Sequence, residues 1–193
     1  MKAIFITGLP TTGKSYLAGR IADVTGGIIL KLDDLKITLS KDPRYEAFVN
    51  FYFNKDEKEY YTTGTPETFV KDLLWQSRGL WPAFCEAIQK TLATAGDRLV
   101  IVESVNLLPE LVRADFGTEV HCLVLLGESK EKILERLALD PRWGNTPDLQ
   151  ELEAENFWNT ESPFYASQAE QFRAVCVRNA DEGWEYCAKI LKI

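Results

Sequence analysis

The sequence predicts a three-layer α/β fold, a five-stranded parallel sheet with helices on both faces and a helical lid. Three observations carry that expectation. Short apolar runs alternate with segments of helical periodicity, and strands separated by helices pair in parallel through right-handed crossovers. The glycine-framed segment Gly8-Leu9-Pro10-Thr11-Thr12-Gly13-Lys14-Ser15 stands between the first run and the first helix. Acids follow the second and third runs, at the carboxyl ends where open parallel sheets bind ligands.

Residues 2–7, KAIFIT, form an apolar run ending at Gly8, the pattern of a strand buried on both faces. Leu17, Ile21 and Val24 then recur at helical spacing, so a helix starts at Ser15 and stops at Gly26–Gly27. A second strand covers 28–32 and ends at Asp33–Asp34, and the polar, aromatic-rich stretch from 35 to 64 is helical in pieces. Thr65-Pro66-Glu67 opens the next helix, with a capping hydroxyl, proline at the first position and an acid in the first turn. Its periodicity runs through Phe69, Leu73, Leu80, Phe84, Ile88 and Leu92, with a kink expected at Gly79 or Pro82. The third strand, 98–102, ends at Glu103, and the fourth covers 119–126. Ser129 caps a helix carrying Ile133, Leu134 and Leu137, and the breaker-rich DPRWGNTPD at 140–148 reads as a loop. A helix over 149–170, a strand over 174–178 and a helix over 182–191 complete the expected order. The whole chain, 1–193, reads as one domain.

Composition excludes several classes. The 193 residues are 46% hydrophobic and 26% charged, an ordinary globular mixture. Lys plus Arg number 22 against 29 for Asp plus Glu, a net charge of −7, which argues against a protein whose main task is coating nucleic acid and leaves room for a small local basic pocket. The one histidine, His121, argues against catalytic triads and polyhistidine metal sites. Cys85, Cys122, Cys176 and Cys187 make no metal-binding spacing, and Cys122 and Cys176, in apolar strand runs, are expected to be buried. The opening MKAIFITG is too short for a secretory signal and no later stretch is apolar enough to span a bilayer, so a cytoplasmic location is expected.

Gly8 to Ser15 is G-x-x-x-x-G-K-S, a complete P-loop in the strand-to-helix context that gives it meaning. Its glycines let backbone N–H groups approach phosphate oxygens, and the helix N-terminus adds positive potential. Gly8, Pro10, Thr11, Thr12, Gly13, Lys14, Ser15 and Tyr16 are therefore the expected nucleotide contacts. Lys14 supplies a point charge for the β- and γ-phosphates, and the Ser15 hydroxyl suits Mg²⁺. At the strand ends, a carboxylate beside ATP can deprotonate an acceptor hydroxyl or hold Mg²⁺. Asp33 and Asp34 can also serve as a helix cap before Leu35, and Glu103 as a plain strand terminus.

GLPTTGKS followed by KLDDLK resembles the small P-loop kinases that phosphorylate hydroxyls: chloramphenicol phosphotransferase, zeta-toxin-like kinases and phage-type polynucleotide kinase. The resemblance implies a P-loop NTPase fold, ATP and Mg²⁺ as cofactors, and Asp33 as the base. It implies an acceptor region at about 35–80, with Asp34, Lys36, Arg78 and Glu103 toward the substrate, and a lid at about 136–165. Lys36 replaces the arginine of the polynucleotide kinase pattern D-D-x-R. Gln76-Ser77 and LVIVESVNLLPELV at 99–112 are similar to 2-phosphoglycerate kinase-like proteins, with Ser104 in place of the usual glycine.

Phosphoryl transfer spreads charge over equatorial oxygens, so Arg136 and Arg142 are the expected lid cations. As a solvated helix residue, Arg136 has Asp140 as its one well-spaced acidic partner. Lys71 and Arg78 share a helix face that can read an anionic acceptor or simply meet solvent. Trp143, Phe157, Trp158, Phe164 and Tyr165 read as lid packing. Asn179, in the loop after the fifth strand, falls where such kinases contact adenine; the loop is not the N-K-x-D of guanine-nucleotide switches. The expectation is an ATP-dependent kinase transferring the γ-phosphoryl group to a hydroxyl of a small metabolite, phosphorylated or not, with no membrane partner and nucleic acid unfavoured. Its rivals are a 5′-hydroxyl polynucleotide kinase and a nucleotide-binding regulator with little turnover.

Overall fold

The computed structural model describes residues 2–193. Five strands, β1 (Ala3–Gly8), β2 (Ile28–Lys31), β3 (Val100–Glu103), β4 (His121–Leu125) and β5 (Val175–Val177), form one sheet in the order β2-β3-β1-β4-β5. Every pairing is parallel, with Phe5 of β1 beside Val102 on one side and Cys122 on the other. β1 is the central strand and all six of its residues are buried. That explains its unbroken apolar run, since helices cover both faces.

Successive side chains alternate between two cores. On one face, Phe5, Val100, Val102 and Cys122 pack with Leu80, Phe84 and Ile88 of a long helix. On the other, Ile4, Ile6, Ile101 and Leu123 meet Leu17 and Ile21 of α1 (Lys14–Thr25) and Cys187 of the last helix. A third cluster, with Leu9, Leu73, Val124, Ile133, Leu137, Phe157 and Tyr165, lies beneath the lid. Among the described residues no helix is long and apolar enough to cross a membrane.

Three short helices follow β2: α2 (Leu32–Leu39), α3 (Glu46–Val49) and α4 (Glu57–Thr63). β2 ends one residue earlier than its apolar run, so Asp33 and Asp34 lie in the first turn of α2. The capping position is Lys31, which makes no side-chain cap, and this removes the reading of Asp33–Asp34 as a cap. Helix α5 (Pro66–Thr94) starts where Thr65-Pro66-Glu67 predicts, with Thr65 accepting from the Thr68 amide. It runs unbroken past Gly79 and Pro82, although Pro82 leaves the Arg78 carbonyl without its helical donor. Gly79 does not serve as a hinge; it admits the Phe48 ring of α3, which a Cβ at that position would meet at 2.2 Å. Gly79→Ala should therefore overpack this contact and destabilise the fold by roughly 1–3 kcal/mol, although alanine is the better helix former. A chemical denaturation midpoint unchanged or raised in G79A would contradict that packing.

Three further readings are corrected. A helix α6 (Pro109–Phe116) fills the segment after β3, signalled by Pro109-Glu110 at its start and Gly117 at its end, signals the periodicity reading passed over. After α7 (Lys130–Leu139), the expected helix over 149–170 is α8 (Pro147–Asn156), a π-helical turn at Phe157–Glu161, and α9 (Ser162–Gln171). Cys176 is exposed, because β5 is a three-residue edge strand whose outer side reaches solvent. The chain closes with α10 (Ala180–Leu191).

Candidate active site

The P-loop joins β1 to α1 at the centre of the sheet. Gly8 has φ 113°, and a Cβ there would lie 2.1 Å from the Leu125 carbonyl oxygen, so only glycine lets the chain turn this close to β4. The turn is held by the Leu9 amide donating to Leu125 O at 2.9 Å and by Thr12 Oγ1 donating to Leu9 O at 2.8 Å. Lys14 Nζ donates to the same Leu9 carbonyl. Burial lowers the Lys14 pKa to about 8 against the pull of Asp33, Glu103 and Glu161. An ammonium so desolvated favours an arriving polyanion.

Two acids that the sequence places at strand ends reach the loop. Ser15 Oγ donates to Glu103 Oε1 at 2.7 Å, bringing together the two residues expected at a metal. Oxygen donors of this kind fit a hard cation such as Mg²⁺, which also takes phosphate oxygens and water. Asp33 Oδ1 pairs with Lys36 Nζ at 2.7 Å and accepts from Ser104 Oγ at 3.1 Å. Burial raises the Asp33 pKa, but the charge and hydrogen bond of Lys36, Lys14 and Ser104 together outweigh it and hold the carboxyl below its ordinary value. Ser104 thus has a purpose where a glycine would have none. Its hydroxyl also accepts from the Asn106 amide, and Asn106 Nδ2 donates to Gln76 and Ser77 at 3.0 and 2.9 Å. Gln76 in turn donates to the Phe48 carbonyl. This buried chain of hydrogen bonds ties Asp33 to α5 and α3.

Asp33, Asp34, Lys36, Glu103, Ser15 and Pro10 all line a cavity of about 770 Å³. Its far wall comes from the α3–α4 connection (Tyr52), α4 (Tyr60, Tyr61), the loop between α7 and α8 (Arg142, Trp143), α8 (Glu153, Asn156) and the π-helical turn (Glu161). Trp143, within the expected lid, packs against three tyrosines, and Phe157 of the same group also lines the cavity, whereas Tyr165 is fully buried. In an α-helix Glu161 would be rotated about 80° from Glu153. The wider π-helical turn reduces that angle and keeps both on the cavity wall.

Other expected residues lie elsewhere. Arg136 does not line the cavity. Its guanidinium donates to the Thr11 carbonyl at 3.1 Å and pairs with Glu128 at 3.0 Å, so Glu128, and not Asp140, is its partner. Glu128 also accepts from Asn179 Nδ2 at 3.0 Å, while Asn179 Oδ1 caps α10 through the Asp181 and Glu182 amides. The Asn179 side chain is thus engaged in holding the loop against the P-loop, where Ala180 Cβ lies 3.1 Å from a Cβ built on Gly13. Arg78 is outside the cavity and pairs with Glu110. Lys71 is exposed, and Tyr16, 63% exposed, borders a shallow depression with Arg20 and Asp23.

The lid carboxylates were not singled out by sequence reasoning. Burial, and then Glu57, push Glu153 up to about 7; burial, and then Glu153, push Glu161 up to about 7, with Arg142 and Lys14 pulling against these effects. Both pKa values lie above the unfolded 4.5, so the folded chain binds more protons than the unfolded one between pH 4.5 and 7. Stability of the ligand-free protein should therefore fall as pH rises across this window, and the effect is complete above it. The lowered pKa of Asp33 acts in the opposite sense, below its ordinary 3.8. Thermal unfolding at pH 5 and 7.5 checks this: the wild type should melt higher at pH 5, and Glu153→Gln should flatten the difference.

A P-loop on the central strand of this parallel sheet, with a carboxylate from β3 on its serine, defines the P-loop NTPase fold. No family model matches the chain, and no curated protein sequence matches it. Solved structures do. A gluconokinase from Sinorhizobium meliloti 1021 superposes with a TM-score of 0.54 at 18% identity, covering 99% of this chain and 95% of that one. A shikimate kinase from Bacteroides thetaiotaomicron gives 0.53 at 15% identity, covering 100% and 99%. The likeness establishes the shared fold over the full length of the described chain.

Proposed function

We propose that the protein is a kinase that transfers the γ-phosphoryl group of ATP to a hydroxyl of a small molecule. The observation that carries this reading is the convergence, on one cavity, of the P-loop serine and Asp33, a carboxylate positioned to meet an acceptor. The fold's occurrence in gluconokinase and shikimate kinase agrees with it. P-loop amides and Lys14 hold the phosphates, with the remaining expected contacts at Gly8, Thr11, Thr12 and Gly13. Ser15 and Glu103 would hold Mg²⁺, which would offset the charge of the phosphates. Asp33, kept ionised and fixed by Ser104 and Lys36, orients the acceptor hydroxyl and takes its proton. The acceptor region is built from α2, α3, α4 and the first half of α5, and the lid spans about 136–165.

The cavity disfavours a polynucleotide end. Asp33, Asp34, Glu103, Glu153 and Glu161 line it against the cations Lys31, Lys36 and Arg142, a balance that disfavours a polyanionic acceptor. Four unpaired cysteines suit a reducing, ATP-containing compartment, so the cytoplasm is the proposed location.

Arg142 and Arg136 divide the work expected of lid arginines. Arg142 lines the cavity, is exposed and has no ion pair among the described residues, so it is free to meet the moving phosphoryl group. Arg142→Ala should lower kcat by about tenfold or more and leave KM for ATP nearly unchanged. Arg136 braces the P-loop through Thr11, so Arg136→Ala should raise KM as well. Steady-state kinetics of both variants separate the roles; a pure KM effect in R142A would assign Arg142 to ground-state binding. The reading as a whole is tested by an ATP-consumption screen over sugars, polyols, amino alcohols and other hydroxyl metabolites. ATP loss that depends on one of them supports it, and ATP binding without such loss opposes it.

A further inference from the structure

The lid end of the cavity gathers carboxyl and amide oxygens that lack hydrogen-bond donors among the described residues. Glu153 is 2% exposed and its Oε2 has no hydrogen-bond partner. Asn156, 7% exposed, donates its amide to Glu161 Oε1 at 3.0 Å, which leaves its own Oδ1 unpartnered as well. Glu57 Oε1, just behind, is a third buried oxygen without a donor. Among the described residues no ion pair reaches Glu153 or Glu161. Of the cations near them, Arg142 lines the same wall without an ion pair among the described residues, Lys14 lies in the P-loop, and Lys55 is tied to Asp72 at 2.9 Å and covers one face of the Tyr60 ring at 4.4 Å.

Aromatic faces complete this end. Tyr52 and Tyr60 pack on Trp143 with ring centroids 5.6 and 5.5 Å apart, and all three line the cavity. Acceptor oxygens lacking donors, set beside aromatic rings, match an alkylammonium group, which supplies N–H donors and a charge that π faces attract. A neutral hydroxyl would satisfy one oxygen and leave the charge; an anion would be repelled. The acids do not converge as a metal-ligand set among the described residues.

We propose that the acceptor is an amino alcohol of roughly amino-sugar size. Its ammonium group sits against Glu153, Glu161 and Asn156 under the Tyr52, Tyr60 and Trp143 rings, and its hydroxyl is directed to Asp33. The volume of about 770 Å³ accommodates such a molecule beside a phosphate chain. The hydroxyl end of this assignment rests on the kinase reading; the ammonium end does not.

The test is calorimetric titration of the full chain, without nucleotide, with glucosamine and ethanolamine against glucose, ethylene glycol and choline, whose quaternary nitrogen has no N–H to donate. Glucosamine should bind at least about tenfold tighter than glucose, and Glu153→Gln and Glu161→Gln should each remove that preference. Glu161→Asp, which keeps the charge, should retain most of it. Removing a desolvated carboxylate should raise, not lower, the melting temperature at pH 7.5, so misfolding does not explain the loss. No response to glucosamine or ethanolamine, equal binding of glucose, or a preference that survives in both glutamine variants overturns the proposal. Ammonium binding with no transfer from ATP would overturn the kinase reading alone, and transfer only to neutral alcohols would overturn this inference alone.

Discussion

Lys14→Ala should leave a folded protein that no longer turns over ATP, with activity down by about 10²–10³-fold or more. The expectation of intact folding follows from the lysine's surroundings. Its ammonium is buried, its pKa is depressed to about 8, and its one hydrogen bond goes to a carbonyl of its own loop. Removing it deletes a charge that the ligand-free protein holds at a cost. Bound phosphates lose a desolvated positive partner that water cannot replace within the loop. Circular dichroism with an ATP titration on the same sample separates the two effects. Wild-type turnover in folded K14A would remove the P-loop from the mechanism.

Asp33→Asn should cut acceptor phosphorylation by ~10²-fold or more while ATP affinity stays within a few-fold. Asparagine keeps the shape and an acceptor oxygen for Ser104 Oγ, and ATP is held elsewhere by the P-loop. What it loses is the proton acceptor and the charge that fixes Lys36. Asp34→Asn is the internal control. Asp34 also lines the cavity but carries no hydrogen bond to Ser104 or Lys36, so its loss should be milder. Near-wild-type turnover in both variants would remove Asp33 from the chemistry. A strong loss confined to D34N would move the base by one residue.

Features written in local sequence were legible. The five parallel strands follow from apolar runs punctuated by glycine and acids, and the P-loop follows from one octapeptide between strand and helix. Thr65 and Ser129 cap where their neighbours predict. Features made by tertiary contact were not. Gly79 reads as a hinge from α5 alone and becomes a packing notch only when Phe48 arrives from α3. Arg136 has an acidic neighbour four residues on, yet Glu128 takes it across the turn that precedes α7. The lid acids needed the fold most. Glu153 and Glu161 are eight residues apart, and only the π-helical turn between them keeps both on one wall. The tyrosines on the same wall come from a segment nearly a hundred residues earlier, and no spacing rule connects the two.

The central claim is that this cavity passes a phosphoryl group from ATP to an alcohol. The most direct test supplies ATP labelled in its γ-phosphate, together with amino alcohols and their neutral counterparts, and follows the label by mass. The structure predicts label on an alcohol oxygen, formed by the wild type and lost in K14A and D33N. Label that stays on ATP, or appears only as free phosphate whatever alcohol is present, would contradict it.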